Sequence, residues 1–439
     1  MELMVPSGPL NSTSGGTNPM RDTSLLRTIL DLKHTLVTAS VFSETGLIID
    51  VRPTTSVARC ACARKCHKLY DQRERTWRHL DFAGMTVDLR YSIRRVDCRR
   101  CGVTTELVPW AEPTSGFTRD FEQMTALLAQ KVDKTMVSQL LGIAWETVGR
   151  IVTRVVDRIG PKDLLDDLTQ IGIDELSVRK NHYYITIVTD HVRKRVVWAE
   201  EGKNAETLGK FFDQLGKERT EKLKVISIDM SKAYIKSVTE RAPGAKLVFD
   251  RFHVQRLAHD ALDNVRRGQV RALGGTDEGA EIKGSRWALQ KNPWNLTLLE
   301  SEKLADVQKS NRPLYRAYLL KETLCEILDG RQVNVARKRL EEWISWAKRS
   351  RLEPFKKLAR TIETYIEGIL AYVQTGISNG RVEGLNNKIR TITKRAYGFH
   401  SALSLIGYIF LCCTGIVIDP VRHLPARWTQ APSPRSSQR

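Results

Sequence analysis

The sequence contains no segment typical of a targeting signal and no apolar run long enough to cross a membrane. Residues 1–20 are rich in Gly, Ser, Pro, Thr and Asn, with neither the basic start nor the apolar core of a signal peptide. The most apolar stretch, residues 402–418, is shorter than the roughly 20 residues that a membrane-spanning helix needs. We therefore expect a cytoplasmic protein with no membrane partner, in which residues 402–418 form a buried terminal helix.

Acidic residues are scarce relative to basic ones. The 439 residues include 50 Asp and Glu against 70 Lys and Arg, which gives a net charge of +20. Such an excess favours a polyanionic partner, and nucleic acid is the commonest one. The 41% hydrophobic content supports large buried cores and excludes a chain that is disordered throughout. The length allows about three domains of roughly 150 residues.

Cysteines are few, but five of the eight fall between Cys60 and Cys101. In a reducing compartment, clustered thiols indicate a metal site rather than disulfides. Cys98 and Cys101 have the two-residue spacing and the following Gly of a zinc knuckle, whereas the first cluster is irregular. Buried thiols without metal are the competing interpretation. We predict zinc at Cys62, Cys66, Cys98 and Cys101, with Cys60 as the alternative ligand in the first cluster and His67 as a weaker candidate.

No internal repeat is evident, and the chain changes character in zones. Residues 36–51 alternate apolar and polar side chains on both sides of Glu44-Thr45-Gly46, which predicts a β-hairpin. Helical periodicity follows at residues 121–132, 135–141 and 144–156.

Gly142 lies between the second and third of these helices, as in a helix-turn-helix. The first turns of the third helix carry Trp145, Thr147 and Arg150, where base-edge contacts are usually made. These residues are the candidates for reading double-stranded DNA. An ordinary small helical bundle is the alternative.

From Ile171 onward the pattern is strand-strand-strand-helix-strand-helix-strand, which ends at Asp250. A meander followed by crossover helices predicts a mixed sheet with helices on its faces. From Arg251 to about Tyr372 the sequence is helical and polar, without strands.

Three acids are expected to meet at one edge of this sheet. Asp174 is near the predicted end of the first strand, Asp229 ends the fourth, and Glu383 is the only acid between Gly376 and His400. Strand ends gather at the edge where open α/β sheets bind ligands. Three carboxylates suit two hard divalent cations, Mg²⁺ or Mn²⁺, of the kind that catalyse phosphodiester displacement.

Each acid also has a simpler interpretation. Asp229 can cap the following helix, Glu383 can form a surface ion pair, and Glu175 lies beside Asp174 as a solvated neighbour. Asp250 can bind metal, but a hydrogen bond between Asp250 and His253 is the favoured interpretation.

Trp287 and Trp294 lie among basic residues in the segment Lys283-Gly-Ser-Arg-Trp-Ala-Leu-Gln-Lys-Asn-Pro-Trp. Stacking on an unpaired base is one interpretation of such aromatics. Core packing is the interpretation that the sequence favours.

Taken together, these motifs resemble a known family. Ile-Gly-Ile-Asp-Glu, Ile-Ser-Ile-Asp-Met-Ser, Phe-Asp-Arg-Phe-His and Asn-Gly-Arg-Val-Glu-Gly-Leu-Asn-Asn-Lys-Ile-Arg occur in an order that resembles bacterial insertion-sequence transposases of the ISL3 family. The resemblance extends from about Leu36 to Leu411. The irregular first cysteine cluster departs from the family pattern, which usually has two cysteines separated by two residues.

The resemblance implies an α+β multidomain protein with a zinc ribbon, a helix-turn-helix and a ribonuclease-H-like mixed α/β catalytic core that an all-helical insertion interrupts. It implies an Asp-Asp-Glu triad of Asp174, Asp229 and Glu383 that holds two divalent cations, with Asp250 and His253 near the site. The substrates implied are terminal inverted repeats and target DNA, bound by a homodimer or higher oligomer in the nucleoid. The cations expected to contact phosphates are Lys388, Arg390, Lys394 and Arg395.

The predicted division has seven parts. An arm and leading helix (1–33) precede the zinc ribbon (34–112) and the helix-turn-helix (118–160); the core (168–255 and 373–420) surrounds the helical insertion (256–372), and a disordered tail (421–439) follows. An inactive or domesticated transposase that acts as a sequence-specific DNA-binding protein is the main alternative, which an intact triad disfavours. A junction resolvase built on the same core is a third hypothesis, which the upstream DNA-binding motifs disfavour.

Overall fold

The computed structural model describes residues 22–179, 183–377, 383–395, 399 and 401–419. These residues divide into two compact units, one that ends at Leu127 and one that spans Leu128–Ile418. Within the described ranges, no helix combines the length and the apolar character that crossing a membrane requires.

The first unit contains a five-stranded sheet in which the long strand β6 is central and pairs with β2, β5 and β7. The strand order is β1-β2-β6-β5, and β7 also pairs with β6. β1 and β2 form the predicted hairpin, with Ser43 opposite Gly46 at its turn. The elements are α1 (Asp22–Leu30), β1 (Thr35–Ser43), β2 (Gly46–Pro53), β3 (Ala58–Arg59), β4 (Lys65–Cys66), β5 (Leu69–Phe82), β6 (Met85–Cys98), β7 (Gly102–Thr105) and α2 (Arg119–Lys131), whose last turn belongs to the second unit.

Three aromatic rings form the centre of this unit's core. Trp77, Tyr91 and Trp110 are buried and meet edge to face, with ring centroids 5.2–6.3 Å apart. This geometry places the positive edge of one ring against the negative face of the next. Alternate residues of β6 are buried, as expected for a strand with one face on a core.

The second unit begins with the predicted helix-turn-helix. α3 (Lys134–Leu141) and α4 (Trp145–Ile159) are joined by a turn in which Gly142 has φ 59°, a left-handed conformation that glycine adopts without strain. The Asp133 carboxylate caps α3 by accepting a hydrogen bond from the backbone N–H of Met136. The three helices predicted from periodicity are therefore present.

Of the apolar residues 402–418, the first twelve form a helix that is largely buried, and the remaining five are not helical. α17 (Ala402–Cys413) packs against α4 and against strand β10 (Arg195–Glu201) of the second sheet. The Gln130 side-chain amide donates hydrogen bonds to the carbonyls of Leu411 at 2.8 Å and Ile416 at 3.0 Å, where the helix has left them without helical partners.

A mixed five-stranded sheet follows, in the order β10-β9-β8-β11-β12. Within this sheet β8, β9 and β10 are antiparallel, and β8, β11 and β12 run parallel. The predicted order of strands and helices is present, with one additional short helix, α6. The remaining elements are β8 (Gln170–Arg179), β9 (Tyr183–Asp190), α5 (Ala205–Leu215), α6 (Lys217–Thr220), β11 (Val225–Ile228), α7 (Lys232–Arg241) and β12 (Lys246–Phe249).

The described residues from Arg251 to Thr375 are helical and contain no strand, as predicted. Their core is continuous with that of the sheet, because Trp343 and Leu340 belong to the same buried cluster as Ile173 and Ile228. The helices are α8 (Arg251–Ala272), α9 (Asp277–Gly284), α10 (Arg286–Gln290), α11 (Leu298–Ser310), α12 (Arg312–Asp329), α13 (Val333–Arg349), α14 (Glu353–Thr364) and α15 (Ile366–Thr375), followed by α16 (Glu383–Arg395).

One glycine sets how closely this helical segment approaches the sheet. A Cβ atom built on Gly368 of α15 lies 2.3 Å from the ring of Phe249, the last residue of β12. Only a residue without a side chain fits this contact, which holds α15 against the strand that leads into Asp250.

We expect Gly368→Ala to lower the free energy of unfolding by about 1–3 kcal/mol, because the added methyl group overpacks the Phe249 contact. The matched control is Gly268→Ala in α8, where an added Cβ meets nothing within 4 Å. That change removes backbone entropy from the unfolded chain and is expected to stabilise by about 0.5–1 kcal/mol. Urea unfolding of both variants measures the difference, and equal stabilities would contradict the close packing.

Candidate active site and zinc site

The parallel pairing of β8 with β11 brings two acids to the same level of the sheet. Ser227 pairs with Gly172 in this ladder, so continuing the register by two positions brings Asp229 beside Asp174. Asp229 follows the last residue of β11, as predicted. Asp174, in contrast, is not near a strand end: β8 continues to Arg179 because β9 pairs with it over that whole length.

The next parallel pair adds a third acid at this level. Ile228 of β11 pairs with Phe249 of β12, and one further step places Asp250 beside Asp229. The Asp250 backbone N–H also donates to the Ile228 carbonyl at 3.1 Å, which extends the ladder to this position.

Burial raises the pKa of Asp174, and the negative charge of Asp229 raises it further. The backbone N–H of Glu175, at 2.8 Å from Asp174 Oδ1, acts in the opposite direction, as do the positive charges of His253 and Arg390. A carboxylate whose charged form is disfavoured by burial beside a second carboxylate is stabilised by a bound cation. The donor set therefore fits a hard divalent metal ion, which prefers carboxylate oxygens.

Asp229 occupies this position without capping α7, which was its simpler interpretation, because the N-cap residue of that helix is Ser231. The Ser231 backbone N–H donates to Asp229 Oδ1 at 2.9 Å, at the start of α7. The carboxylate is only half-buried. One hydrogen bond to Oδ1 orients the group without using all of its acceptor sites.

Glu175 is a half-buried neighbour rather than a solvated one. Burial raises the pKa of Glu175, with a further contribution from Asp229, while a hydrogen bond with the Tyr234 hydroxyl lowers it. The same hydroxyl is 2.9 Å from Thr186 Oγ1. Glu175 thus has a structural partner in the core of the sheet.

Asp250 and His253 are not joined by the expected hydrogen bond. His253 Nε2 is 3.9 Å from Asp250 Oδ2, an ion-pair distance that exceeds hydrogen-bond length. Asp250 is buried and is the N-cap of α8, where its Oδ1 accepts from the Phe252 N–H at 3.4 Å. The helix needs a cap at this position, so the carboxylate turns toward its own backbone.

Glu383 is the first residue of α16, and its side chain lies outside the described part of the structure. The same holds for the side chain of Arg395 and for residues 378–382 of the motif. Arg390 and Lys394 are exposed on α16. Lys388 is also exposed, but its ammonium group donates to the Cys412 carbonyl at the end of α17.

Of the three helix-turn-helix candidates, Arg150 is the one that is exposed. Its guanidinium donates to Thr147 Oγ1 at 3.0 Å. Trp145 is half-buried, and the Lys134 ammonium lies 3.1 Å from the centroid of its ring. Burial lowers the pKa of Lys134 to about 8.

The first unit gathers four cysteines in a group that differs from the predicted one. Among the described residues, the sulfurs of Cys60, Cys62, Cys98 and Cys101 all lie within 4.8 Å of one another. Cys60 therefore takes the place that was given to Cys66, and the exposed His67 is also outside the group.

A tight turn explains the exchange. Ala63 has φ 65°, and hydrogen bonds from the Ala63 N–H to the Cys60 carbonyl and from the Cys60 N–H to the Arg64 carbonyl close the loop. Cys66 instead pairs with Ala58 in the two-stranded β3–β4 ladder, and its thiol is 3.8 Å from the Arg64 carbonyl.

The chemistry of the four-cysteine group fits zinc. Backbone N–H groups of Arg100 and Cys101 lower the pKa of Cys98 to about 6, which favours the thiolate that binds metal. Four thiolates form a closed tetrahedral site of the structural type.

The two tryptophans of the basic segment are not core residues. Trp287 is 62% exposed and Trp294 is 75% exposed, so the favoured interpretation of core packing is wrong for both. Exposure depends on how α10 and the following turn pack, which periodicity over so short a segment does not reveal.

Comparisons with known proteins identify three family models within the chain. The model described as a transposase matches residues 171–408, the helix-turn-helix domain of transposase family ISL3 matches residues 106–156, and the zinc-finger of transposase IS204/IS1001/IS1096/IS1165 matches residues 57–101. The last of these ranges contains the four-cysteine group.

Curated relatives match over most of their length. The chain is 38% identical over 435 residues to the transposase for insertion sequence element IS1557 of Mycobacterium tuberculosis strain H37Rv, covering 90% of this chain and 96% of that protein. The corresponding protein of strain CDC 1551 / Oshkosh gives the same values. Identity to the transposase for insertion sequence element IS1001 of Bordetella parapertussis is 29% over 359 residues, covering 80% of this chain and 88% of that protein.

The cysteine geometry predicts opposite outcomes for two substitutions. Cys60→Ser is expected to lose most of the bound zinc, because it removes one of four converging sulfurs, whereas Cys66→Ser keeps about one zinc per chain. Zinc content of the purified, dialysed proteins, measured by mass spectrometry, checks this. Zinc loss in Cys66→Ser with retention in Cys60→Ser would instead support the ligand set expected from the sequence.

Proposed function

The chain belongs to the ISL3 family of insertion-sequence transposases, enzymes that cut and transfer DNA, and from that premise we propose where and how it acts on DNA. In this proposal Asp174, Asp229 and Glu383 are the Asp-Asp-Glu triad. The observation that carries it is the parallel register of β8 and β11, which aligns two of these acids at one level of the sheet.

The sheet and its helices support a ribonuclease-H-like core. Three antiparallel strands followed by two parallel strands, with helices between, have the topology that the family resemblance implies. The helices from Arg251 to Thr375 separate Asp229 from Glu383 in sequence and are the all-helical insertion of this proposal.

Two magnesium or manganese ions held by the triad would activate the attacking oxygen and stabilise the leaving one. A water oxygen first forms a bond to phosphorus at the element end while the bond from phosphorus to the 3′ oxygen breaks, which frees a 3′-hydroxyl. The oxygen of that hydroxyl then forms a bond to a phosphorus of target DNA in line, while the bond from this phosphorus to the target strand's own 3′ oxygen breaks and leaves a free 3′-hydroxyl on the target. The carboxylates of the triad would supply the negative charge that binds the metal ions. The Ser231 N–H orients the carboxylate of Asp229.

The basic side chains of α16 would bind the phosphates of the DNA backbone next to this site. Arg390 is close enough to Asp174 to act on its pKa, and Lys394 is exposed on the same helix. Together with Arg395 they would neutralise phosphates, which contributes affinity that does not depend on sequence. The ammonium group of Lys388 donates to the Cys412 carbonyl at the end of α17, so Lys388 would position α16 rather than contact a phosphate.

The terminal inverted repeats would be read by α4 and by the zinc-binding unit, with the seven-part division of the sequence as the proposed domain organisation. Joining two element ends calls for a dimer or higher oligomer on DNA in the nucleoid. The alternative of an inactive DNA-binding protein has no support from the comparisons, because the matched relatives are named as transposases.

We expect Asp174→Asn, Asp229→Asn and Glu383→Gln each to reduce magnesium-dependent cleavage more than about a hundredfold, since even outer-shell partners of metal sites contribute 10–100-fold. Binding of the terminal repeat is expected to remain, because each change removes one negative charge from a cationic protein. Cleavage of a labelled duplex and fluorescence anisotropy measure the two properties. The matched control is Asp213→Asn, an exposed acid paired with Arg241. Full cleavage by any triad variant would remove that residue from the triad.

Two further variants separate base reading from phosphate contact. Arg150→Ala is expected to weaken binding to the terminal repeat by about 1–3 kcal/mol with little effect on unrelated duplexes. Lys394→Ala is expected to weaken binding to both duplexes equally and to reduce the salt dependence. Competition titrations at two salt concentrations give these values. An equal loss on both duplexes for Arg150→Ala would show that Arg150 does not read bases.

A further inference from the structure

A cleft in the helical segment has no role in the function proposed so far. Its volume is about 640 Å³, and it lies between α8, α12 and the turn at residues 290–295. Trp294 and Leu319 contribute its apolar surface, and both lie exposed at its walls. This volume is enough for one planar heterocycle of the size of a nucleobase.

The charges of the cleft argue against phosphate as its ligand. Its two Lys or Arg side chains are already paired: Arg251 with Asp329, and Lys291 with Glu300 at 2.6 Å. A phosphate group would have to break these pairs and would also face the carboxylates of Glu322 and Glu326, whereas a neutral ligand leaves the pairs intact.

Neutral hydrogen-bonding groups remain available in the walls. Gln290, Asn292 and Asn295 line the cleft with amides that each offer donors and an acceptor, whereas the amide oxygen of Gln255 accepts hydrogen bonds from Arg251 and leaves its amide N–H groups as donors. Burial, with a contribution from Lys321, lowers the pKa of His259, so at neutral pH its ring also offers one donor and one acceptor. Paired donors and acceptors of this kind match the edge of a base.

The turn between α10 and α11 presents an indole to solvent. Pro293, Trp294 and Asn295 form a single turn of 3-10 helix, and Trp294 is 75% exposed beside the cleft. An exposed tryptophan next to a polar cleft is the arrangement by which proteins stack on unpaired bases.

The cleft begins directly after Asp250, the acid that lies beside Asp229 in the sheet. Asp250 is the N-cap of α8, and Arg251, the next residue, already lines the cleft. Gln255 and His259 follow at intervals of four and lie on the same face of the helix. The cleft thus extends along about 12 Å of α8 from the level of the acids.

We propose that this cleft receives one nucleobase of the bound DNA, unstacked beside the cleaved phosphodiester, with Trp294 stacking on its face and the amides contacting its edge. The inference rests on the proposed function, because it assigns the base to DNA held at the carboxylate site. Taking a base out of the duplex would expose the neighbouring phosphodiester, and stacking on Trp294 would offset the lost base stacking.

The test combines a tryptophan variant with abasic DNA. Duplexes carry the terminal repeat from the DNA beside the gene, each with one abasic nucleotide at a position flanking the cleavage point. On intact duplex, Trp294→Ala is expected to slow single-turnover cleavage about tenfold or more, within the range that base–aromatic stacking contributes. Trp294→Phe retains most of the rate. At one abasic position the wild type and Trp294→Ala become equal, because no base remains to stack.

Trp287→Ala is the matched control, because it removes a similarly exposed tryptophan from the same segment outside the cleft, and it is expected to cleave at the wild-type rate. Wild-type cleavage by Trp294→Ala, or a defect that persists at every abasic position, would overturn the inference. If the wild type cleaves and Asp174→Asn does not, the proposed function holds whatever the Trp294 variants show. If the wild type does not cleave, the proposed function fails, and anisotropy measurements of affinity on the same duplexes decide the inference.

Discussion

The parallel hydrogen-bonding of β8, β11 and β12 is the constraint on which the carboxylate site depends. Each of β11 and β12 is four residues long, and each is followed directly by an aspartate. Because a register slip of one residue would turn every side chain to the other face, the ladder that aligns Asp229 with Asp174 also fixes the face of the sheet on which Ile226 and Ile228 pack. The hydrophobic core and the site are therefore specified by the same pairing. Gly368, which lets α15 approach Phe249, supports that pairing from outside the sheet.

The helical segment is attached to this arrangement without a break. α8 starts at the acidic edge, capped by Asp250, and its buried face joins the core that also contains the strands. A change in the position of α8 would therefore also move Asp250 and His253, which lie at the start of the same helix. The cleft on the outer face of α8 is held by the same element, so its distance from the carboxylates is fixed by helix geometry rather than by a linker.

Periodicity and turn chemistry were sufficient to predict most of the fold. The hairpin at Gly46, the helix-turn-helix with its left-handed Gly142 and the order of strands around Asp229 all follow from local patterns. Errors arose where tertiary contacts decide. The length of β8 depends on pairing with β9, which places Asp174 inside the strand. The choice of Cys60 over Cys66 depends on the backbone conformation of Ala63, and the exposure of Trp294 depends on packing between short helices. None of these is a property of a residue and its near neighbours alone.

The burial of α17 between α4 and β10, reinforced by the Gln130 amide, has a consequence for how such proteins diversify. Because α17 packs against both α4 and the sheet strand β10, α3 and α4 are not an exchangeable cassette. A chimera that imported another helix-turn-helix would also have to rebuild the contact surface of α17. Under the proposed function, new target recognition is therefore more accessible through substitutions on the exposed face of α4 than through exchange of the whole helix-turn-helix.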